Sequence, residues 1–122
     1  MTLTVAIIGA SQKPQRYAYK TQALLMEKKH TVFPVSANGL DILGVQGYAS
    51  IRDIRQPIDT VTLYLNAGRH EQIKEEILQA RPRRIIFNPG TESAMLVQFY
   101  QARGIETLEA CTLIMLSSGC FD

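Results

Sequence analysis

Short runs of branched apolar residues alternate along this chain with longer stretches in which apolar and polar positions mix at helical spacing. Residues 3–8 (Leu-Thr-Val-Ala-Ile-Ile) form the first run and stop at Gly9, the pattern of a strand buried on both faces of a parallel sheet. Residues 17–29 place Ala18, Ala23, Leu24, Leu25 and Met26 among lysines and glutamines, which predicts a helix. Lys28, Lys29 and His30 then fall where cations favour a helix C-terminus.

The alternation continues. Residues 31–35 (Thr-Val-Phe-Pro-Val) predict a second strand, with Pro34 near its end, where a missing N–H costs least. A loop with Gly39, Gly44 and Gly47 runs to about Ser50; its Ile42-Leu43-Gly44 segment is expected to tuck apolar side chains under the surface, and Ser50 to cap a short turn through Ile54. Residues 60–65 predict a third strand, punctuated by Asn66-Ala67-Gly68, and residues 70–80 a helix with Ile73, Ile77 and Leu78 on one face. Residues 84–87 predict a fourth strand ended by Asn88-Pro89-Gly90. Thr91 is placed to cap a helix over residues 92–103, with Gly104 as its C-cap, and residues 105–108 predict a fifth strand. The apolar residues 111–116 are expected to pack on the sheet as a last helical segment.

Strand–helix alternation requires crossovers, and these are right-handed in nearly all cases. The expected fold class is therefore α/β: a Rossmann-like open, mostly parallel five-stranded sheet with helices on both faces. The 122 residues, 46% of them hydrophobic, suit a single domain spanning 1–122. Thirteen Lys and Arg against eleven Asp and Glu give a charge of +2, too small a bias to argue for nucleic acid or an anionic membrane as partner. Cys111 and Cys120 lack CxxC spacing and a nearby histidine, so neither zinc nor a disulfide framework is indicated. No run approaches the ~20 apolar residues of a membrane span, and no cleavable leader is seen, so the expected location is cytoplasmic.

In open α/β sheets the ligand crevice lies beyond the carboxyl ends of the strands, where the strand order reverses. This directs attention to residues 9–16, 36–38, 66–69, 88–90 and 109–112. The first turn is the strongest signal: Gly9 permits tight backbone geometry, Ala10 and Ser11 are small, and a helix follows whose N-terminus can face a phosphate. The candidate ligand contacts are Gly9, Ala10, Ser11, Lys13, Pro14 and Arg16 on that turn, and Val35, Ser36 and Asn38 after the second strand. Asn66 follows the third strand, and Asn88, Pro89 and Gly90 follow the fourth. Gly9 to Pro14 is not a full G-x-G-x-x-G fingerprint, and no acidic residue ends the second strand to hold a ribose, which argues against NAD. His70 and Cys111 are the candidates for catalytic groups, but no constellation around them is evident; both have a plain structural reading, and no catalytic or metal residue is assigned.

Taken together, Val5-Ala6-Ile7-Ile8-Gly9-Ala10-Ser11, Val32-Phe33-Pro34-Val35, Ile42-Leu43-Gly44, Tyr48 and Asn88-Pro89-Gly90 resemble the small bacterial CoA-binding-domain proteins. These are similar to the nucleotide-binding domain of the succinyl-CoA synthetase α subunit. The resemblance implies coenzyme A bound over the first turn, phosphates near Gly9, Ala10 and Ser11, adenosine near Val35 and Ser36. Family members commonly continue the second strand with Asn-Pro and often a basic residue; this chain has Ser36-Ala37-Asn38-Gly39, so a cation for the CoA 3′-phosphate is missing there. The leading expectation is a non-catalytic module that binds or senses coenzyme A or a related adenine nucleotide. The alternatives are an NAD(P)-dependent oxidoreductase, a CoA-ester ligase or transferase subunit working with an enzyme partner, and a structural domain whose residues 113–116 contribute to a homo-oligomer interface.

Overall fold

The computed structural model describes residues 2–122. Five strands, β1 (Thr4–Ile8), β2 (Thr31–Val35), β3 (Thr60–Leu63), β4 (Arg84–Phe87) and β5 (Glu106–Glu109), form one sheet in the order β2-β1-β3-β4-β5. Every pairing is parallel. Four α-helices complete the alternation: α1 (Tyr17–Glu27), α2 (Ala67–Ala80), α3 (Ala94–Gln101) and α4 (Thr112–Ser118). The expected α/β architecture is the one observed.

The period-two side-chain alternation of the strands divides the core in two. Ala6 and Ile8, Phe33 and Val35, Val61 and Leu63, and Ile85 and Phe87 face one way, against Ile77 of α2 and Leu96 and Tyr100 of α3. Val5, Ile7, Val32 and Ile86 face the other, against Ala18 and Leu25 of α1, Leu116 of α4 and Phe121. A strand needing apolar side chains on both faces reads as an unbroken apolar run, and that is why β1 was so clear in the sequence. Pro34 sits on edge strand β2, opposite Ile7, so its missing N–H breaks no interior ladder.

Several boundaries differ from the expectations. Helix α2 begins three residues earlier, at Ala67, because Asn66 Oδ1 accepts the Arg69 N–H at 2.9 Å and caps it. His70 therefore lies inside the first turn and is fully buried. Ser93, rather than Thr91, caps α3 by accepting the Leu96 N–H at 3.2 Å, while Thr91 donates to the Asn88 carbonyl at 2.7 Å. Gly104 has φ +83° but lies beyond Ala102, the residue that ends α3. Strand β3 ends at Leu63, and β5 is displaced by one residue.

His30 is not a helix-terminal cation: Lys29 turns the chain at φ 72°, and His30 is carried inward, where Nδ1 accepts the Leu3 N–H at 3.0 Å. Burial, offset in part by Asp122, holds its pKa below the ordinary value. Ser50 caps as expected, accepting the Arg52 N–H at 3.1 Å ahead of a 3-10 turn over Ile51–Asp53. In the long loop Ile42 is buried, but Leu43, at φ 53°, points outward and is exposed.

Candidate functional site

The chain leaves β2 at one edge and returns at β3 on the other side of β1, so the strand order reverses beside β1. Helix α1 leaves over one face of the sheet and α2 over the other, which opens a crevice above the carboxyl ends of these three strands. It has a volume of about 710 Å³, within the range of small-molecule sites.

Its first wall is the β1–α1 turn. Gly9 has φ +89°, and a Cβ there would lie 2.8 Å from the backbone carbonyl of Tyr64, so glycine is required twice over. The Gly9 and Ala10 N–H groups both donate to the Val35 carbonyl, at 2.9 and 3.0 Å, which pins the turn to the end of β2. Those two donors are thereby used within the protein. Ser11 Oγ accepts the Lys13 N–H at 3.1 Å, and the Gln12 side chain donates to the Asp41 carbonyl at 2.8 Å, tying the turn to the loop after β2. The Ser11 and Gln12 N–H groups have no partner among the described residues and remain available to an anion.

The loop after β2 supplies the second wall. Ser36 Oγ donates to Asn38 Oδ1 at 2.8 Å, and Asp41 Oδ1 accepts the Gly47 N–H at 3.0 Å. Gly47 is confined by contact: a Cβ on it would sit 1.9 Å from the Leu40 carbonyl oxygen. With Val35, this loop brings Ala37, Leu40, Ile42 and Ala49 to the crevice as a small apolar slot. The third wall is β3–α2: Tyr64, Leu65, Asn66, Arg69, Gln72 and Ile73. Arg69, Gln72 and Ile73 share one helix face by their i, i+3, i+4 spacing.

Of the sequence-derived candidates, Gly9, Ala10, Ser11, Lys13, Arg16, Val35, Ser36, Asn38 and Asn66 come together around this crevice. Pro14, Asn88, Pro89 and Gly90 are not among its lining residues. Asn88 is buried instead: its amide donates to Thr62 Oγ1 at 2.7 Å and the Leu63 carbonyl at 2.8 Å, and its Oδ1 accepts the Thr112 N–H at 2.8 Å. It fastens the start of α4 to the ends of β3 and β4.

The two residues weighed for catalysis are not among the crevice's lining residues. His70 Nε2 is 2.7 Å from the Tyr100 hydroxyl, and its ring stacks on that of Tyr100. Burial pushes its pKa down to about 4 and the Tyr100 hydroxyl above its ordinary value. Cys111 is half-buried at the start of α4, close to Tyr64, whose hydroxyl pairs with Thr21 at 2.6 Å and is raised in pKa chiefly by burial. Sequence reasoning missed Arg69 and Gln72 as site residues. Arg69 stood in a flagged loop, and a capping asparagine three residues before it was the available signal.

The lining carries three cations, Lys13, Arg16 and Arg69, and among the described residues no carboxylate. None of the three has an ion-pair partner among the described residues. No group of three or more metal-ligating side chains and no helix long and apolar enough to cross a membrane occurs among the described residues either.

An open parallel sheet with a crevice at its switch point places the molecule among the Rossmann-like α/β proteins. The sequence model of the family described as "CoA binding domain" matches residues 3–117, and the chain belongs to that family. A protein of known structure titled "Crystal structure of uncharacterized protein" is 36% identical and superposes with a TM-score of 0.94, covering 99% of each chain. The dinucleotide forming acetyl-coenzyme A synthetase 1 of Ca. Korarchaeum cryptofilum, solved with phosphate and ADP, shares the fold at 16% identity. Its TM-score is 0.75, and the superposition takes in 88% of this chain and 25% of that one. The uncharacterized protein YneT of Bacillus subtilis (strain 168) is 25% identical over 75 residues, 62% of this chain and only 56% of that relative.

Proposed function

We propose that this chain is a binding or sensing module for coenzyme A, holding the cofactor in the switch-point crevice without itself carrying out a reaction on it. One observation carries the reading: among the described residues, three cations without an ion-pair partner and no carboxylate line one crevice, in a chain whose overall charge is only +2. Such a site suits a polyanion whose phosphates lie along the first turn, near the Ser11 and Gln12 N–H groups, Lys13 and Arg16. The apolar slot of Val35, Ala37, Leu40, Ile42 and Ala49 has the character that an adenine ring requires. Membership of the CoA binding domain family supports the choice of coenzyme A among adenine nucleotides.

The test is titration calorimetry with coenzyme A, with NAD and NADP alongside. Coenzyme A is expected to bind tightest, and Arg16→Ala to weaken it by about tenfold, the loss of roughly one charge-assisted contact, ~1.4 kcal/mol. Tighter binding of NAD or NADP would replace this reading with a dinucleotide site, and no heat with any of the three would refute it.

A further inference from the structure

The end of β2 offers no cation for a phosphate on the adenosine ribose: Ser36 and Asn38 are engaged with each other. The crevice nevertheless holds a cation that the first turn does not supply. Arg69 stands in the first turn of α2, across the crevice from Lys13 and Arg16, with its backbone fixed by the Asn66 cap at 2.9 Å. One turn further along the same helix face, Ile73 lines the same crevice as Val35 and Leu40. Arg69 thus borders the same crevice as the apolar residues suited to adenine and the turn suited to a diphosphate. Of the three cations in the lining it is the one that the first turn does not carry, and so the one left for a phosphate other than the diphosphate.

The neighbours of Arg69 leave it free for such a task. Positions 65, 66, 72 and 73, which flank it at helical spacing, are Leu, Asn, Gln and Ile, so no carboxylate on its own helix face competes for it. Glu71 pairs with Lys74 instead. A planar guanidinium can engage two phosphate oxygens at once, and an exposed one retains that capacity until a ligand arrives.

Resting on the proposed binding of coenzyme A, we infer that Arg69 is the specificity residue for the ribose 3′-phosphate, taking from α2 the role that the end of β2 cannot fill. Lys13 and Arg16 serve the diphosphate, so the two charged groups of the ligand are read from opposite walls. The inference separates coenzyme A from dephospho-coenzyme A, which differ only in that phosphate.

Calorimetric titration of both ligands into the intact chain and into Arg69→Gln, Arg69→Lys and Arg16→Ala provides the test. The unaltered chain is expected to bind coenzyme A about tenfold more tightly than the dephospho form. Arg69→Gln should erase that preference while leaving dephospho-coenzyme A within about twofold of its original affinity, and Arg69→Lys should keep part of it. Arg16→Ala should weaken both ligands alike. A preference that survives Arg69→Gln, or an equal loss for both ligands in that variant, overturns the assignment while leaving coenzyme A binding intact. Absence of binding by both ligands to the unaltered chain overturns the proposed function and this inference with it. Arg69 is exposed, and a melting curve for each variant establishes that it is folded before titration.

Discussion

Lowering the pH from 7.5 to 4.5 is expected to weaken the fold by about 2.5 kcal/mol through His70 alone. The imidazole has no exposed surface, and its Nε2 lies 2.7 Å from the Tyr100 hydroxyl. Nδ1 has no partner among the described residues. The arrangement that uses the available hydrogens has Nε2–H donating to Tyr100, whose own hydrogen goes to the Lys74 carbonyl at 3.4 Å. Nδ1 is then a bare acceptor, less costly to bury than a bare N–H. Adding a proton would create an unpaired donor and a charge in the same apolar site, and this is why burial lowers the pKa from 6.5 to about 4.

The sign follows from proton binding. Between those two values the unfolded chain holds a proton on His70 and the folded chain does not, so stability rises with pH across the window. The contribution is complete above pH 6.5, falls as the pH drops, and is gone below about pH 4. At about 1.4 kcal/mol per pH unit the full contribution is about 3.4 kcal/mol, of which about 2.5 is lost by pH 4.5. His30 is depressed in the same direction and adds to the slope, so the measurement must isolate His70. Urea denaturation of the wild-type chain and His70→Gln at four pH values does so: the difference between their stabilities should shrink by about 2.5 kcal/mol toward pH 4.5. Parallel stability curves, or an NMR titration of His70 with a midpoint near 6.5 in the folded state, would refute the reasoning.

Two substitutions separate the site from its scaffold. Gly9→Ala places a Cβ 2.8 Å from the Tyr64 carbonyl at φ +89°, and should cost about 3 kcal/mol in denaturant unfolding and abolish coenzyme A binding. Asn88→Ala orphans the Thr112 N–H and the Leu63 carbonyl, and should cost about 3 kcal/mol while changing coenzyme A affinity less than twofold, since Asn88 does not line the crevice. A large affinity loss in a folded Asn88→Ala protein would return that residue to the site.

The strands were legible because burial on both faces leaves little choice of side chain, as in Val5-Ala6-Ile7-Ile8. Helix starts were less so. Thr91 and Ser93 both have a hydroxyl suited to capping, and what assigns the cap to Ser93 is that Thr91 is already committed to the Asn88 carbonyl across the turn. His30 was misread as a surface cation because the reversal at Lys29, a lysine at φ 72°, has no signature in a sequence where glycine would be the expected residue. Of the crevice, the wall made by consecutive residues was readable from Gly9 to Arg16. The α2 wall was not, because its helix starts at Ala67 and only the three-dimensional position of that turn brings Arg69 and Gln72 to the opening.

The overall charge hid the site for a related reason. Thirteen cations and eleven anions nearly cancel, yet they are not mixed evenly in space. Asp59 and Glu106 are drawn to Arg83 at the amino ends of the strands, and Glu76 within α2 to Arg52. Burial raises the Asp59 carboxyl, but hydrogen bonds from Arg83 and Thr60 outweigh it and hold the pKa below the usual value, so that this anion stays charged where it stands. These three carboxylates are thus engaged away from the crevice lining, and Lys13, Arg16 and Arg69 border the crevice with no acidic side chain among the described lining residues. Three like charges around an open crevice repel, a cost that an incoming polyanion removes. A near-neutral chain can in this way carry a strongly cationic site, and the property appears only once residues more than fifty positions apart are brought to the same opening.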